Sequence, residues 1–335
     1  MSLSQQKLIG ESAAFLETLE HVSQVAPLAK PLLVVGERGT GKELIVERLH
    51  YLSPRWEHEL VKINCATLPE SLLESELFGH EPGAFTGATR RHAGRFERAH
   101  GGTLFLDEIH AMSRRLQEKL LRVVEYGEFE RVGGSRPLQV DVRVVGATNA
   151  DLPALARRGS FRADLLDRLS FDVITLPPLR SRREDIPLLA EFFALGMTRE
   201  LGRSYFAGFS EAVLEQLTAH SWPGNARELR NVVERAVYKT PPEEPVVQLE
   251  LDPWDSPWRP GEPVEQTGQA GKETAVPTSG GPVPRDFKAH LRQVERELLE
   301  RALAANRYHQ KRTAAALGLS YAQLRGYLKK HGLKP

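Results

Sequence analysis

From Leu32 to Ala147 short apolar runs recur along the chain, separated by longer stretches with helical spacing. The runs Leu32–Val35, Leu60–Asn64, Thr103–Asp107 and Val142–Ala147 have the length and the β-branched or aliphatic content of buried strands. Between the last two, Met112–Tyr126 sets apolar residues three and four apart, which predicts an amphipathic helix. Strands alternating with helices over residues 1–178 predict an α/β fold, a parallel sheet covered by helices. Pro177-Pro178 breaks the pattern. Residues 179–240 carry helical periodicity alone and predict a small α-helical subdomain. Over residues 241–285 the pattern dissolves: ten of the 22 prolines lie between Pro241 and Pro284, the composition of a mobile linker. Residues 286–335 return to helical spacing as an all-α unit, and the apolar spacing of its first helix, Asp286–Ala304, suits dimer packing.

A chain of 335 residues has room for two or three cores. No apolar run approaches the length of a membrane span, and the N-terminus lacks a basic stretch followed by an apolar one. The single cysteine, Cys65, excludes an internal disulfide and a cysteine-rich zinc site, so a reducing cytoplasm is the expected location. The net charge of +1 conceals an asymmetry: after Glu300 there are eight Lys or Arg and no acidic residue. Such a tail can be a solvated face or can meet phosphate.

Two motifs point to nucleotide chemistry. In Gly36-Glu37-Arg38-Gly39-Thr40-Gly41-Lys42-Glu43, between a strand and a helix, backbone N–H groups can converge on phosphate oxygens while Lys42 reaches the β- and γ-phosphates. The general pattern has Ser or Thr after the lysine; here Glu43 follows, so magnesium must lean on Asp107 and water. Downstream, the run Thr103–Asp107 ends in Asp107-Glu108, two carboxylates at the C-terminal tip of a strand, where ligands of open parallel sheets bind. Asp107 is expected to hold magnesium and Glu108 to orient or deprotonate the attacking water. Asn149, closing the next strand, can position water or the γ-phosphate. Arg162 and Arg168 can stabilise transition-state charge in a neighbouring copy, or simply pair with Asp164 or Asp167. Arg227, just inside the helix that follows Trp222-Pro223-Gly224, can close over the nucleotide.

Between these motifs lies Gly83-Ala84-Phe85-Thr86-Gly87-Ala88, a permissive backbone that presents one aromatic and one hydroxyl at a tip. Such a loop performs no chemistry, but it can press on another protein and move with the nucleotide state. Near the C-terminus, alanine-rich Gln310–Ala316 meets Gly318, and Ser320 caps a second helix, a helix-turn-helix pattern. Leu317, Leu319, Leu324 and Leu328 supply its apolar face; Lys311, Arg312, Ser320, Tyr321, Gln323, Arg325 and Lys329 are the candidate DNA contacts.

Together these motifs resemble the AAA+ activators of sigma-54 RNA polymerase, the bacterial enhancer-binding proteins. The resemblance covers residues 8–240 and resumes at the helix-turn-helix. Its most specific part is Glu76-Leu77-Phe78-Gly79-His80-Glu81 with the GAFTGA string that follows. It implies an AAA+ fold with a Fis-type DNA-binding domain, ATP and magnesium as cofactors, and a ring of copies, a hexamer. The partners implied are sigma-54 polymerase and enhancer DNA. The Gly-Lys-Glu ending of the phosphate loop also matches the family. In the family, the residue matching Asn64 holds the catalytic glutamate, Arg162 and Arg168 match trans-acting arginines, and Arg227 matches a second sensor. With its phosphate loop beginning at Gly36, the chain is expected to lack the receiver or sensory domain that usually precedes the ATPase in this family. In Gly36–Glu43, Leu49–Ser53, Phe161–Leu169 and Asn225–Arg235 it looks most like the phage-shock branch. That likeness implies control in trans by the phage-shock repressor protein, with Trp56 as the candidate contact. The rival readings are another AAA+ machine, an unfoldase or loader, and a DNA-binding repressor with a vestigial ATPase.

Overall fold

The structure, a computed structural model, describes residues 8–254, 256, 258, 259, 287–306 and 308–333. Its first body begins with α1 (Ala13–Val25), β1 (Leu32–Val35), α2 (Lys42–Tyr51), β2 (Leu60–Asn64), α3 (Glu70–Phe78) and α4 (Arg95–Arg98). It continues with β3 (Thr103–Asp107), α5 (Arg114–Tyr126), a hairpin of β4 (Glu128–Glu130) and β5 (Pro137–Gln139), β6 (Arg143–Thr148), α6 (Leu152–Arg157), α7 (Ala163–Leu169) and β7 (Val173–Thr175). Five parallel strands pair in the order β2-β3-β6-β1-β7. The four predicted strands are all present. The edge strand β7 and the hairpin, three residues a strand, are too short to carry a periodic signal.

The alternation of side chains across the sheet separates two cores. Leu33, Leu104, Leu106 and Val144 face α3, α5 and α7, whereas Leu32, Val34, Phe105, Val145 and Ala147 face α1 and α2. Arg143 is a charged residue fully buried in this sheet. Its guanidinium donates to the carbonyls of Ala26 (2.8 Å) and Val25 (3.1 Å), capping the C-terminal end of α1. Burial pushes its pKa down to about 10.

The helical subdomain comprises α8 (Asp185–Glu200), α9 (Glu211–Ala219) and α10 (Asn225–Lys239), packed around Ile186, Leu217, Trp222, Leu229 and Val233. Residues 241–251, expected as linker, instead complete this subdomain. Val246 is buried and ties into the turn before α9 through Ser210 N–H to Val246 O (3.0 Å) and Val246 N–H to Gly208 O (2.9 Å). Leu249 and Leu251 pack beside it. The prolines prevent a regular element here but leave the apolar side chains able to cover the open face of α10. The remainder of the expected linker lies largely outside the described residues. The last unit contains α11 (Phe287–Ala305), α12 (Gln310–Ala316) and α13 (Tyr321–Lys330), with a small core of Leu299, Leu303, Ala314, Leu324 and Leu328. Among the described residues no helix is long and apolar enough to cross a membrane.

Candidate functional site

The parallel order puts the C-terminal ends of β1, β3 and β6 side by side, and the candidate nucleotide residues follow from those three ends. After β1 the chain turns through Gly39 (φ 78°) and Gly41 (φ 101°), left-handed values open to glycine at little cost, and enters α2 at Lys42. Gly39 is required for a second reason: a Cβ there would lie 2.2 Å from the Gly224 carbonyl oxygen. Thr40 Oγ1 donates to Glu37 O (2.8 Å), and Lys42 Nζ donates to Gly36 O (2.9 Å) and Glu37 O (3.2 Å), closing the loop on itself. Burial lowers the pKa of Lys42, and the facing Glu108 and Asp107 oppose that shift.

Two of the candidate loop residues use their side chains elsewhere. Glu43 pairs with Lys62 on β2 (2.9 Å), so it offers a nucleotide only its backbone at the start of α2. Glu37 is gripped by Arg180 through two contacts (2.6 and 2.8 Å) and by Asn225 Nδ2 (3.1 Å), which push its pKa down to about 2.

At the tip of β3, Asp107 Oδ2 accepts from Asn64 Nδ2 (2.9 Å), because the parallel register sets Asn64 opposite Asp107. Here Asn64 holds the aspartate next to Glu108 and makes no bond to Glu108 itself. Glu108 sits at φ 50°, a left-handed conformation that costs a non-glycine residue about 1–3 kcal/mol and turns its carboxylate away from the strand line. Two residues meet it there. His110 Nδ1 lies 3.3 Å from Glu108 Oε2 and 2.9 Å from Thr148 Oγ1. Asn149, with its amide oriented so that both ends find complementary partners, donates to Glu108 Oε2 (3.0 Å) and accepts from Arg38 Nε (3.3 Å). The phosphate loop, β3 and β6 are thereby joined through Arg38, Asn149 and Glu108. His110 had no signal in the sequence beyond its place two residues after Glu108.

Arg227 lies exposed on α10 and lines, with Arg38, Arg235 and Trp254, a cavity of about 450 Å³ at the junction of loop and helical subdomain. Arg162, which precedes α7 as its N-cap, and Arg168, within α7, make their contacts away from this site. Arg162 grips Asp164 (3.0 and 2.7 Å), and Arg168 pairs with Glu125 (2.6 Å), so the local pairing foreseen for Arg162 is realised.

The string Gly83–Ala88 forms a loop closed by Gly83 N–H to Ala88 O (2.7 Å), with Thr86 exposed and Phe85 42% exposed. Its stem is the antiparallel bridge of His80 with His92, and the Phe85 ring rests edge-on against His80, centroids 4.9 Å apart. The hairpin missed in the sequence locks that stem. Buried Arg131 donates to Glu97 Oε1 (2.9 Å) and Glu81 Oε1 (2.7 Å), while Glu81 N–H donates to Val132 O (3.0 Å). Burial alone would raise the Glu97 pKa; Arg131 outweighs it and holds the carboxyl below its ordinary value.

In the C-terminal unit Gly318 turns at φ 65°, and Ser320 and Gln323 form a reciprocal cap at the start of α13. Gln323 Oε1 is thus committed to Ser320 N–H, and Tyr321 Oη reaches Gln310 Oε1 (3.1 Å). Lys311, Arg312, Arg325 and Lys329 are exposed. Trp56 is 56% exposed, and Tyr51 and Leu52, a few residues earlier, are exposed as well.

Residues 8–175 match the sigma-54 interaction domain, 180–251 the AAA+ ATPase lid domain, and 290–331 the Fis family of bacterial regulatory proteins. The chain is 55% identical over 332 residues to the Psp operon transcriptional activator of Escherichia coli, covering 99% of each protein. It is 42% identical over 328 residues to the regulatory protein AtoC of the same organism, covering 98% of this chain and 68% of that one. Among solved structures, NtrX from Brucella abortus in complex with ATP superposes with a TM-score of 0.68 at 34% identity, covering 97% of this chain and 70% of that one. NtrX in complex with ADP gives the same TM-score at 33% identity, covering 98% and 71%.

Proposed function

This chain belongs to the sigma-54-dependent AAA+ activators, ATPases with a Fis-type DNA-binding domain, and we propose that it opens sigma-54 promoters of a phage-shock operon. In this reading ATP hydrolysis in a cytoplasmic ring of six copies drives the Phe85-Thr86 tip against sigma-54, converting a closed polymerase complex into an open one. One observation carries it: a GAFTGA loop exposed on a locked stem belongs to the same α/β body as the bonded set Asp107, Glu108 and Asn149, which Lys42 faces.

Asp107 fits a magnesium ion. It is a hard oxygen donor: Oδ2 accepts from Asn64 (2.9 Å) and Oδ1 from the Glu108 amide (3.0 Å), which leaves each oxygen a lone pair for a cation. The described residues contain no cluster of three or more protein ligands, as suits an ion that keeps water and phosphate in its shell. Magnesium would neutralise charge developing on the phosphates. Lys42 and the loop amides bind the phosphates, while Glu108, aimed by Asn149 and His110, accepts the proton of the attacking water. Arg162 and Arg168 reach the site of the next copy after exchanging their local carboxylates. Arg227 closes the lid. The C-terminal unit holds enhancer DNA through Lys311, Arg312, Ser320, Tyr321, Arg325, Lys329 and the amide nitrogen of Gln323. Control comes from the phage-shock repressor bound at Trp56.

The test is open-complex formation on a sigma-54 promoter with purified chain, with and without ATP. Activation that needs ATP and disappears in Thr86→Ala, with ATPase retained, is expected; ATP-independent activation or an active Thr86→Ala overturns the reading. Specific ATPase should rise with protein concentration, and the repressor should lower it less in Trp56→Ala.

A further inference from the structure

The helical subdomain grips the outside of the phosphate loop at three successive carbonyl oxygens. Asn225 Nδ2 donates to Arg38 O (3.0 Å), Ala226 N–H to Gly39 O (3.1 Å), and Arg182 Nη2 to Thr40 O (3.3 Å). In a trans peptide unit the C=O and the following N–H point in opposite directions. Fixing these three oxygens toward the subdomain therefore aims the N–H groups of Gly39, Thr40 and Gly41 away from it, into the interior of the loop. Those are the donors a phosphate needs; Thr40 N–H makes only a long bond to Glu37 O (3.4 Å), which a phosphate would replace, and donors held in place before binding cost little reorganisation when it binds.

The gripping residues are themselves over-determined. Asn225 is fully buried at φ 53°, and its Oδ1 accepts from Leu179 N–H (2.7 Å), which fixes which end of the amide donates. Arg182 is buried with its guanidinium 4.6 Å from the centre of the Phe15 ring and 3.8 Å from Asp185. Asp185, also fully buried, accepts from the N–H groups of Glu11 (2.7 Å) and Ser12 (2.8 Å) and from Ser12 Oγ (2.7 Å). Neither Asn225 nor Arg182 needs this burial to complete a core of apolar side chains. Their polar atoms converge on the loop.

We propose that Asn225 and Arg182 are positioning residues of the ATPase, which orient the amides of Gly39, Thr40 and Gly41 so that the lid pre-forms the phosphate cradle. By linkage, a phosphate held in the cradle holds the lid, and a lid that swings away loosens the phosphate. The inference rests on this loop being the nucleotide site, which ADP binding to the wild-type chain establishes first.

Full-length Asn225→Asp keeps the acceptor for Leu179 but loses the donor to Arg38 O and sets a carboxylate against Glu37, a repulsion that the double variant Asn225→Asp, Glu37→Gln relieves while Arg38 O stays without its donor. Arg182→Lys keeps a cation beside Asp185 but cannot serve Asp185 and Thr40 O with one planar fork. Each should bind ADP and ATP about tenfold more weakly, the size of one charged or buried hydrogen bond. Adenosine, measured by competition with a fluorescent ADP analogue, should compete as well as against wild type. KM for ATP should rise while kcat at saturation stays within about threefold, the signature of lost binding common to ground and transition states. ADP affinity within about twofold of wild type in the folded variants, or an equal loss for adenosine and ADP, overturns the proposal. Hydrogen exchange on the wild-type chain decides independently of whether a variant folds. ADP should slow exchange at the amides of Leu179 and Ala226 along with those of residues 39–41, and no protection at Leu179 and Ala226 refutes the linkage.

Discussion

The two glycine-rich loops of the ATPase body are alike in composition and differ at one glycine, Gly39, which backbone from another element approaches. In the phosphate loop, a Cβ on Gly39 would strike Gly224 O at 2.2 Å, and the neighbouring carbonyls are held from outside by the helical subdomain. In the GAFTGA loop, Gly83 and Gly87 have positive φ, 83° and 99°, and a methyl group added at either would meet nothing within 4 Å. In the first loop Gly39 is needed because other backbone approaches it, while Gly41, at φ 101° with nothing within 4 Å, serves the turn alone. The second is glycine-rich because its own backbone must turn without support. A cradle for phosphate gains from rigidity, whereas a loop that pushes on a partner must change shape; only the environment tells the two apart.

The largest effect should come where neither loop is altered. Glu108→Ala removes the carboxylate aimed by Asn149 and His110, and turnover should fall by about 10²–10⁴, the range for a positioned acid–base group. ADP affinity should hold, since the loop and Lys42 are untouched. Near-normal steady-state ATPase would mean that chemistry lies elsewhere, and the contrast between a binding loop and a pushing loop would lose its anchor.

Gly39→Ala tests the rigid loop directly. The substitution adds both left-handed strain at φ 78° and a collision with backbone that cannot rotate away. ADP affinity should drop by about thirtyfold or more, from strain and overpacking of at least 2 kcal/mol. A titration showing wild-type affinity would mean that the lid yields at no cost.

Arg131→Ala probes how the GAFTGA loop is moored. It strands Glu97 and half-exposed Glu81 at the stem, and the loss of stability should be about 2 kcal/mol, below the figure for a fully buried pair because solvent screens part of it. Chemical denaturation measures it. Because Arg131 depresses the folded pKa of Glu97, that stabilisation is complete above the unfolded value of 4.5 and is lost as pH falls through the lower folded value. The acid limb of the wild-type stability profile should therefore be flattened in Arg131→Ala.

A smaller acid effect belongs to the phosphate loop. Glu37, ordinarily 4.5, is pushed down to about 2 by Arg180 and Asn225, so its contribution is full above pH 4.5 and fades toward pH 2. Glu37→Gln, read by the same denaturation profile, should remove part of that slope and leave stability at pH 7 slightly lower. An unchanged slope would show that these exposed contacts are fully screened.

Much of this arrangement was legible in the chain. The strands ending at Val35, Asp107 and Ala147 could be placed because buried parallel strands read as unbroken apolar runs, and their ends located Lys42, Asp107, Glu108 and Asn149. What escaped depended on contacts between distant residues. Asn64 meets Asp107 only through strand register. Asn225, Arg180 and Arg182 look like ordinary polar residues near a turn until the helical subdomain folds back on the loop. Arg131 sits in a hairpin whose strands are three residues long, below the length at which alternation can be recognised. Residues 241–251 misled because proline content reports the absence of regular structure, not the absence of packing.

The smallest effect, and the one that sharpens the comparison most, is expected for Gly83→Ala. A methyl group there meets no neighbour, so its cost is the left-handed backbone alone, about 1 kcal/mol, borne in an exposed loop. Global stability and ADP affinity should stay close to wild type, and ATPase should fall by no more than about twofold. Open-complex formation should suffer more than ATPase, since an alanine at φ 83° narrows the set of loop shapes without touching Lys42 or Glu108. The pair Gly39→Ala and Gly83→Ala thus places the same atom change in two loops of like composition. If both reduced ADP affinity equally, the open space around Gly83 would have no bearing on its role, and the two loops would have to be treated as one rigid unit.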